Sequence, residues 1–380
     1  MKQPSTFLFF ASCAPGLEEL LGDELVALGV INNQQVGGVE FRGPLETLWQ
    51  VCLASRIAES VRLRLKPFVV RGFSSLEKEL RKLPFRAFIS KGRKVRVRAV
   101  CHHSRLWHSG AVQERVEEVL KKYVGLEIDS ESKGEADSDV QLIHVRVQDD
   151  EVQVSLSASG ERMHRRGYRV HVQEASLRET LAAALIASAL KERKATPGSE
   201  LLVWDPFCGA GTIVLEMVHG ALGYVAGAKR RHAFESFRAH ESDAYALFLK
   251  EFSETLRNKA PFSQVKFWAS DRSQKALDAT TNNLKEAGLT EFGEVLLGDI
   301  EEIEKSIPLN ALIVTNPPYG KRLKDTEAIG KLMRVLKKRP DLTPAFVLLG
   351  GAGRDAVPQE CPALFRTKNG GVSVSARKLA

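Results

Sequence analysis

The sequence predicts an α/β chain: a C-terminal, mostly parallel sheet with helices on both faces, preceded by a smaller, basic α+β module. Three observations carry this. From about residue 200, short near-continuous apolar runs alternate with helical stretches, the mark of strands buried on both faces. The first 158 residues instead mix helices with strands that alternate in period two. Charge is divided the same way: of a formal net +8, the stretch from Arg42 to Lys122 holds 19 Lys/Arg against 7 Asp/Glu, a local +12 that leaves the remainder near −4. A concentrated basic module suits a polyanion, and 380 residues suffice for two or three domains.

The elements follow in order. Residues 7–11 read as a strand, 17–28 as a helix, and 35–41 as a short hairpin interrupted by Gly37-Gly38. The segment Thr6-Phe7-Leu8-Phe9-Phe10-Ala11-Ser12-Cys13 has the look of a signal core. Its apolar part is too short and only Lys2 supplies positive charge, so a buried strand is expected. A helix over 44–55 places Leu45, Leu48, Val51 and Cys52 at helical spacing. A strand over 58–65 follows, then a helix over 75–83 capped by Ser74 or Ser75. In the strand 95–101, Val95, Val97 and Ala99 share one face and Arg96 and Arg98 the other. A helix over 109–123 leads to a polar, acidic surface loop at 129–139, and strands 140–147 and 152–158 make a hairpin across 148–151. An Ala/Leu-rich helix spans 174–194. The second part then reads as strands at 201–204, 265–269, 294–297, 311–315 and 345–349, with helices at 212–218, 273–287 and 328–337.

Several function classes are excluded. No apolar run approaches the roughly 18–20 residues of a membrane span. Cys13, Cys52, Cys101, Cys208 and Cys361 have no paired spacing, against a disulfide framework or zinc knuckle and for a reducing, cytoplasmic setting. Cys101-His102-His103 with His108 is no metal site, because adjacent strand residues point to opposite faces and no carboxylate lies near.

Three motifs carry chemistry. The run Leu201-Leu202-Val203-Trp204-Asp205-Pro206-Phe207-Cys208-Gly209-Ala210-Gly211-Thr212 ends a buried strand at Asp205, turns through glycines and opens a helix at Thr212. Such a turn lets backbone approach a ligand closely. Val214 stands where a dinucleotide fingerprint has its third glycine, and Asp205 would repel a pyrophosphate. A ligand with positive charge fits better, and S-adenosylmethionine carries an ammonium and a sulfonium. In Trp268-Ala269-Ser270-Asp271-Arg272-Ser273, the strand-end Asp271 can accept both ribose hydroxyls or cap the following helix. In Leu297-Gly298-Asp299, Asp299 can accept from an adenine amine. The third motif is Asn316-Pro317-Pro318-Tyr319-Gly320 after the strand 311–315. Two prolines end the strand and turn the Asn side chain into the crevice. An exocyclic base amine is a poor nucleophile because its lone pair is delocalised. The Asn316 oxygen and the Pro317 carbonyl can bind both amine protons and steer that lone pair out of the ring plane, while Tyr319 offers a stacking face.

These residues, in this order, resemble the Rossmann-like methyltransferases that modify exocyclic amines. His164-Arg165-Arg166-Gly167-Tyr168-Arg169 and Glu179-Thr180-Leu181-Ala182-Ala183-Ala184 resemble the linker and first helix of THUMP-domain guanine-N2 RNA methyltransferases. Ser104-Arg105-Leu106-Trp107-His108-Ser109 and Phe10-Ala11-Ser12-Cys13-Ala14-Pro15-Gly16-Leu17-Glu18 resemble the THUMP module and its ferredoxin-like partner. The resemblance covers nearly the whole chain. It implies a ferredoxin-like part at 1–44, a THUMP RNA-binding domain at 45–158, a linker and first helix at 159–195, and a Rossmann-like methyltransferase domain at 196–380.

The same resemblance implies S-adenosylmethionine as cofactor, bound by Asp205, Pro206, Cys208, Gly209, Gly211, Thr212, Asp271, Asp299 and Asn316. Catalysis falls to Asn316, Pro317, Pro318 and Tyr319. RNA contacts are expected from Arg93, Lys94, Arg96, Arg98, Arg105, Arg165, Arg166, Lys321 and Arg322. The implied product is N2-methylguanosine in structured RNA, large-subunit ribosomal RNA being favoured over transfer RNA on overall resemblance. Neither membrane nor metal is expected. Ala210, Ser176 and Lys321 depart from the usual Ser, Pro and acidic residue, and 220–261 reads as an insertion beside the pocket. A DNA adenine-N6 methyltransferase would use the same Asn-Pro-Pro-Tyr geometry, but the basic module speaks against it. A NAD-type oxidoreductase lacks support from the missing glycine and the long gap between Gly211 and Asp271. A non-catalytic RNA-binding protein is opposed by the intact Asp205, Asp271 and Asn316.

Overall fold

The computed structural model describes residues 6–129, 139–168, 177–194, 198–318, 325–354, 357–358 and 360–379, without the side chains of 325, 352 and 354. Its first half holds strands β1 (Phe7–Ser12), β2 (Asn32–Gln35), β3 (Gly38–Gly43), β4 (Ser60–Arg64), β5 (Phe68–Val69), β6 (Lys94–His102), β7 (Glu127–Ile128), β8 (Gln141–Gln148) and β9 (Glu151–Ser157). Helices α1 (Glu18–Ala27), α2 (Leu45–Ala54), α3 (Phe73–Leu80), α4 (Phe85–Phe88) and α5 (Ser109–Val119) lie between them. The second half holds α6 (Glu179–Arg193), β10 (Glu200–Asp205), α7 (Thr212–Ala221), α8 (Ser242–Asn258), β11 (Gln264–Asp271), α9 (Gln274–Ala287) and β12 (Gly293–Leu297). It continues with α10 (Ile300–Ile303), β13 (Leu312–Thr315), α11 (Asp325–Lys338), β14 (Ala345–Gly350), β15 (Ala363–Asn369) and β16 (Val372–Leu379).

Among the described residues the strands form two sheets. The first has nine strands in the order β2-β3-β1-β4-β9-β8-β6-β7, with β5 on β9. Val152 and Val154 of β9 turn inward together with Val61 and Leu63 of β4 and Val95 and Val97 of β6, as period-two side chains must. This sheet runs unbroken across residue 44, because β1 pairs with β4. Asp149 and Asp150 both take positive φ at the β8–β9 turn, which the tight hairpin requires.

The second sheet has the order β12-β11-β10-β13-β14-β16-β15, parallel through β14 and closed by an antiparallel hairpin. Its strands are apolar all round because both faces are covered. Val203, Leu312, Val314, Phe346 and Leu348 enter the large core shared with α6 and α7. Trp204, Ile313, Val347 and Leu349 enter a second core with Ile329, Leu332 and Val335 of α11.

Local differences from the sequence reading have physical causes. Helix α3 begins at Phe73 behind Gly72, and neither Ser74 nor Ser75 caps it; the Ser75 hydroxyl donates back to the Gly72 carbonyl at 2.7 Å. Helix α6 begins at Glu179, later than expected, while 174–176, most of the acidic loop and Arg169 lie outside the described residues. The β15–β16 hairpin adds two strands beyond those expected, and Asn369-Gly370-Gly371 between its alternating segments forms its turn.

Candidate active site

From β10 the chain builds outward through β11 and β12, then returns to lay β13 on the other side of β10. This reversal opens a crevice beyond the carboxyl ends of β10 and β13, the place where open α/β sheets bind ligands. Asp205, Asp271 and Asn316 stand at the ends of β10, β11 and β13.

The glycine turn after β10 is held from several sides. Gly209 and Gly211 both have positive φ, +55° and +78°. A Cβ on Gly211 would lie 2.9 Å from Thr280 Cγ2, so only glycine fits there, whereas a Cβ on Gly209 would meet nothing within 4 Å. The Gly209 backbone therefore faces open space. Helix α9 fastens the turn from below: Thr280 Oγ1 donates to the Gly209 carbonyl at 2.8 Å, and Asn283 Nδ2 to the Ala210 carbonyl at 3.0 Å. Cys208 N donates to the Ser270 carbonyl at 3.0 Å, and burial pushes its thiol well above the ordinary range. Cys208 is a packing residue, not a nucleophile. Pro206 and Thr212 are also buried.

Asp205 differs from expectation. It is 1% exposed, with Oδ1 accepting from Thr315 Oγ1 at 2.6 Å and from Phe207 N at 3.3 Å. Burial, with Asp271 adding, pushes it up to about 7 against those two bonds. Its carboxylate ties the glycine turn to the end of β13 and is not presented to the crevice as an open anion.

Asp271 is half-buried and better placed for a ligand. Its Oδ2 accepts from Gly209 N at 3.1 Å and its Oδ1 from Ser273 N at 2.9 Å, and each oxygen keeps a further lone pair. Ser273, not Asp271, caps α9. Asp299 caps α10 through Glu301 N at 3.1 Å and binds Lys331 Nζ at 2.5 Å. Burial raises Asp299, but Lys331 and the Glu301 N–H override it and hold the carboxyl below its ordinary value. Both its oxygens are engaged, so the expected adenine contact must compete with Lys331.

After β13, Pro317 is buried and Pro318 half-buried. The Asn316 Oδ1 atom is buried and has no hydrogen-bond partner among the described residues. A buried acceptor without a donor is costly and calls for an explanation. Tyr319, Gly320, Lys321 and Arg322 lie outside the described residues.

The expected RNA contacts divide. Lys94, Arg98, Arg105 and Arg165 are exposed and Arg93 is half-buried. Arg96 is 6% exposed because its Nε donates to Asp129 Oδ2 at 2.8 Å, which turns it away from solvent. Arg166 is 2% exposed: Nε meets Glu216 Oε1 at 3.3 Å, and Nη1 and Nη2 donate to the carbonyls of Met163 and Arg56 at 2.6 and 2.5 Å. Glu216 also accepts from Arg56 at 3.0 Å and from the Tyr168 hydroxyl. Arg96 and Arg166 are therefore structural residues, not RNA contacts. The Arg166 cluster clamps the linker and the first module onto α7, the helix that the glycine turn opens.

Sequence reasoning missed Thr315, Thr280, Asn283, Lys331 and Glu216. Only Glu216 carried a signal, as the single acid inside the apolar run of α7. Among the described residues no group of three or more His, Cys, Asp or Glu side chains could hold a metal, and no helix is long and apolar enough to cross a membrane.

Residues 166–340 match the family model described as RMKL-like, methyltransferase domain, and residues 8–62 match the RlmL ferredoxin-like domain. A ribosomal RNA large subunit methyltransferase K/L of Syntrophotalea carbinolica is 29% identical over 337 residues, 87% of this chain and 47% of that protein. The chain thus spans about half the length of the curated relatives it matches. A predicted N6-adenine-specific DNA methylase from Listeria monocytogenes superposes with a TM-score of 0.81 at 23% identity, covering 98% of this chain and 96% of that one. SMU.472, solved in complex with SAH, gives 0.80 at 22%, covering 99% and 98%. These likenesses establish the architecture, a ferredoxin-like N-terminal part ahead of a Rossmann-like methyltransferase sheet. They do not select a base.

Proposed function

Given an RMKL-like methyltransferase domain behind a ferredoxin-like domain, we propose that this chain methylates the exocyclic N2 amine of a guanine in large-subunit ribosomal RNA. The observation that carries this is the orphaned Asn316 Oδ1 at the strand switch point. A base amine entering the crevice supplies the proton that this buried oxygen lacks. The Pro317 carbonyl takes the second proton, and Pro318 fixes the turn that presents both acceptors. Tyr319 provides the face against which the extruded base stacks.

The site fits S-adenosylmethionine, which when bound supplies an electrophilic methyl on its sulfonium. Open space over Gly209 admits a ligand against the backbone, Asp271 has lone pairs left for ribose hydroxyls, and SMU.472 binds SAH in the same fold. Asp205, Pro206, Cys208, Gly211 and Thr212 shape the turn from behind. Asp299 would reach an adenine amine only by releasing part of its bond to Lys331. The ferredoxin-like part, expected at 1–44, is matched over 8–62, and the rest of 45–158 is read as a THUMP module continuous with it, joined through a linker at 159–195 to the methyltransferase domain at 196–380. The exposed Lys94, Arg98 and Arg105, with Arg165 of the linker and the half-buried Arg93, are proposed as its RNA contacts, together with Lys321 and Arg322 of the chain that follows the Asn-Pro-Pro-Tyr motif. The relatives' names favour ribosomal over transfer RNA.

Methyl incorporation from labelled S-adenosylmethionine into ribosomal RNA, transfer RNA and duplex DNA tests this reading, with nucleoside mass spectrometry identifying the product. Label confined to DNA, or calorimetric binding of NAD in place of S-adenosylmethionine, would overturn it.

A further inference from the structure

Away from the candidate active site, the outward face of the first sheet builds a second site. Register sets Arg64, Ser155, His144 and Arg98 in one row across β4, β9, β8 and β6. Arg62 stands two residues along β4, opposite Ser157. The segment 160–167 and the run Lys229-Arg230-Arg231-His232 close over this face and leave a cavity of about 470 Å³. Seven Lys or Arg side chains line it against two carboxylates. Both carboxylates are already engaged: Glu59 by Arg178 at 3.1 Å and Arg162 at 3.8 Å, Glu161 by Arg165 at 3.7 Å.

Two guanidiniums have buried N–H groups with nothing to bind among the described residues, Nε of Arg62 and Nη1 of Arg230. Arg230 spends its Nη2 on the carbonyls of Glu161 and Ser159, at 2.5 and 3.4 Å. Burial, with Arg64 and Arg162 beside it, pushes Arg62 down to about 10, and burial does the same to Arg230. Both stay cationic at neutral pH. Burial, with Arg62 and Arg98, holds His144 down at about 3, so it adds no charge there. Two half-buried cations lining one cavity, Arg62 from the sheet and Arg230 from the covering segment, each with a buried N–H short of an acceptor, suit a group with several anionic oxygens, and guanidinium forks match phosphate geometry.

We propose that this cavity is a phosphate seat that grips one phosphate group of the substrate RNA between Arg62 of the sheet and Arg230 of the covering segment. The Lys229–His232 run thereby acquires a role: it forms the wall that lets the methyltransferase half and the basic half hold the same phosphate. This rests on the RNA reading above, but the two fail separately. S-adenosylmethionine binding and methyl transfer report on one, competition by phosphate on the other.

The test measures affinity of the full chain for a ribosomal RNA hairpin at several salt concentrations, with inorganic phosphate as competitor. Arg62→Met and Arg230→Met should each weaken the hairpin at least about tenfold and make the salt slope shallower by roughly one phosphate's worth. S-adenosylmethionine affinity should not move. Phosphate should displace the hairpin from the unaltered protein more effectively than from either variant. Arg62→Lys, which keeps the charge and loses the fork, should fall between and covers the case of a Met variant that does not fold. Hairpins with 5′-hydroxyl and 5′-phosphate ends separate a backbone diester from a terminal phosphate as the bound group. Unchanged affinity and slope in folded variants would overturn the proposal, as would lost phosphate competition with RNA binding intact, which would mark a site for free phosphate only.

Discussion

Replacing Glu216 by Gln should destabilise the protein far more than its single lost charge suggests. Gln keeps the volume and one hydrogen-bonding oxygen, so no cavity forms; what changes is electrostatic. The Glu216 side chain is fully buried between those of Arg166, which is buried, and Arg56, whose side chain is 16% exposed. Burial alone would raise its pKa, but Arg166 and Arg56 hold the carboxyl below its ordinary value. Removing one member of a buried ion pair costs about 3–5 kcal/mol because the other charge stays desolvated. Arg56 keeps some access to water, which places the expectation near the lower end, about 3 kcal/mol. Urea unfolding of both proteins should show this as a lower midpoint at similar slope. The sign with pH follows. A depressed folded pKa gives stability that is present above the ordinary 4.5 and lost as pH falls through the folded value. The variant should therefore lack that part of the acid loss. Glu301→Gln, which breaks the exposed pair with Arg334, should leave the midpoint unmoved. A Glu216→Gln midpoint within about 1 kcal/mol of the unaltered protein would show that the clamp does not hold the modules together.

Gly211→Ala forces a Cβ to 2.9 Å from Thr280 Cγ2 at a φ of +78°; thermal unfolding should register a loss of about 1–3 kcal/mol, and calorimetry weaker S-adenosylmethionine binding. Asp271→Ala frees Gly209 N and Ser273 N and should weaken that binding at least about tenfold, so an unchanged Kd would remove Asp271 from the site. Asp205 has its folded pKa raised to about 7 from 3.8, so its contribution is full below the lower value and declines as pH rises through the higher one. Asp205→Asn should flatten stability between those values by up to a few kcal/mol, and an unaltered pH profile would contradict the assigned burial.

Much of this was legible in the sequence, for identifiable reasons. The strands ending at Asp205, Asp271 and Thr315 are short apolar runs followed by turn residues, and both features are local. The Asn316-Pro317-Pro318 turn also reads locally, because proline acts through its own backbone. What could not be read depends on partners far apart in sequence. The burial of Asp205 comes from Thr315, 110 residues on, and that of Arg166 from Glu216 and Arg56, in other elements. An alternating strand showed Arg96 on the polar face but not that Asp129 waits there to bind it. Basic composition alone did not separate Arg96 and Arg166, which are buried and paired within the fold, from the exposed Lys94, Arg98, Arg105 and Arg165. The cavity beneath Arg230 needed the covering segment 229–233 to be seen in place.

Single-turnover methyl transfer by Asn316→Ala, with S-adenosylmethionine affinity measured on the same preparation, bears most directly on the site. With the amide oxygen gone, transfer should fall by at least about two orders of magnitude, as when a preorganised polar contact is lost, while S-adenosylmethionine still binds. Turnover at the unaltered rate in that variant would mean that the base amine is held by some other group.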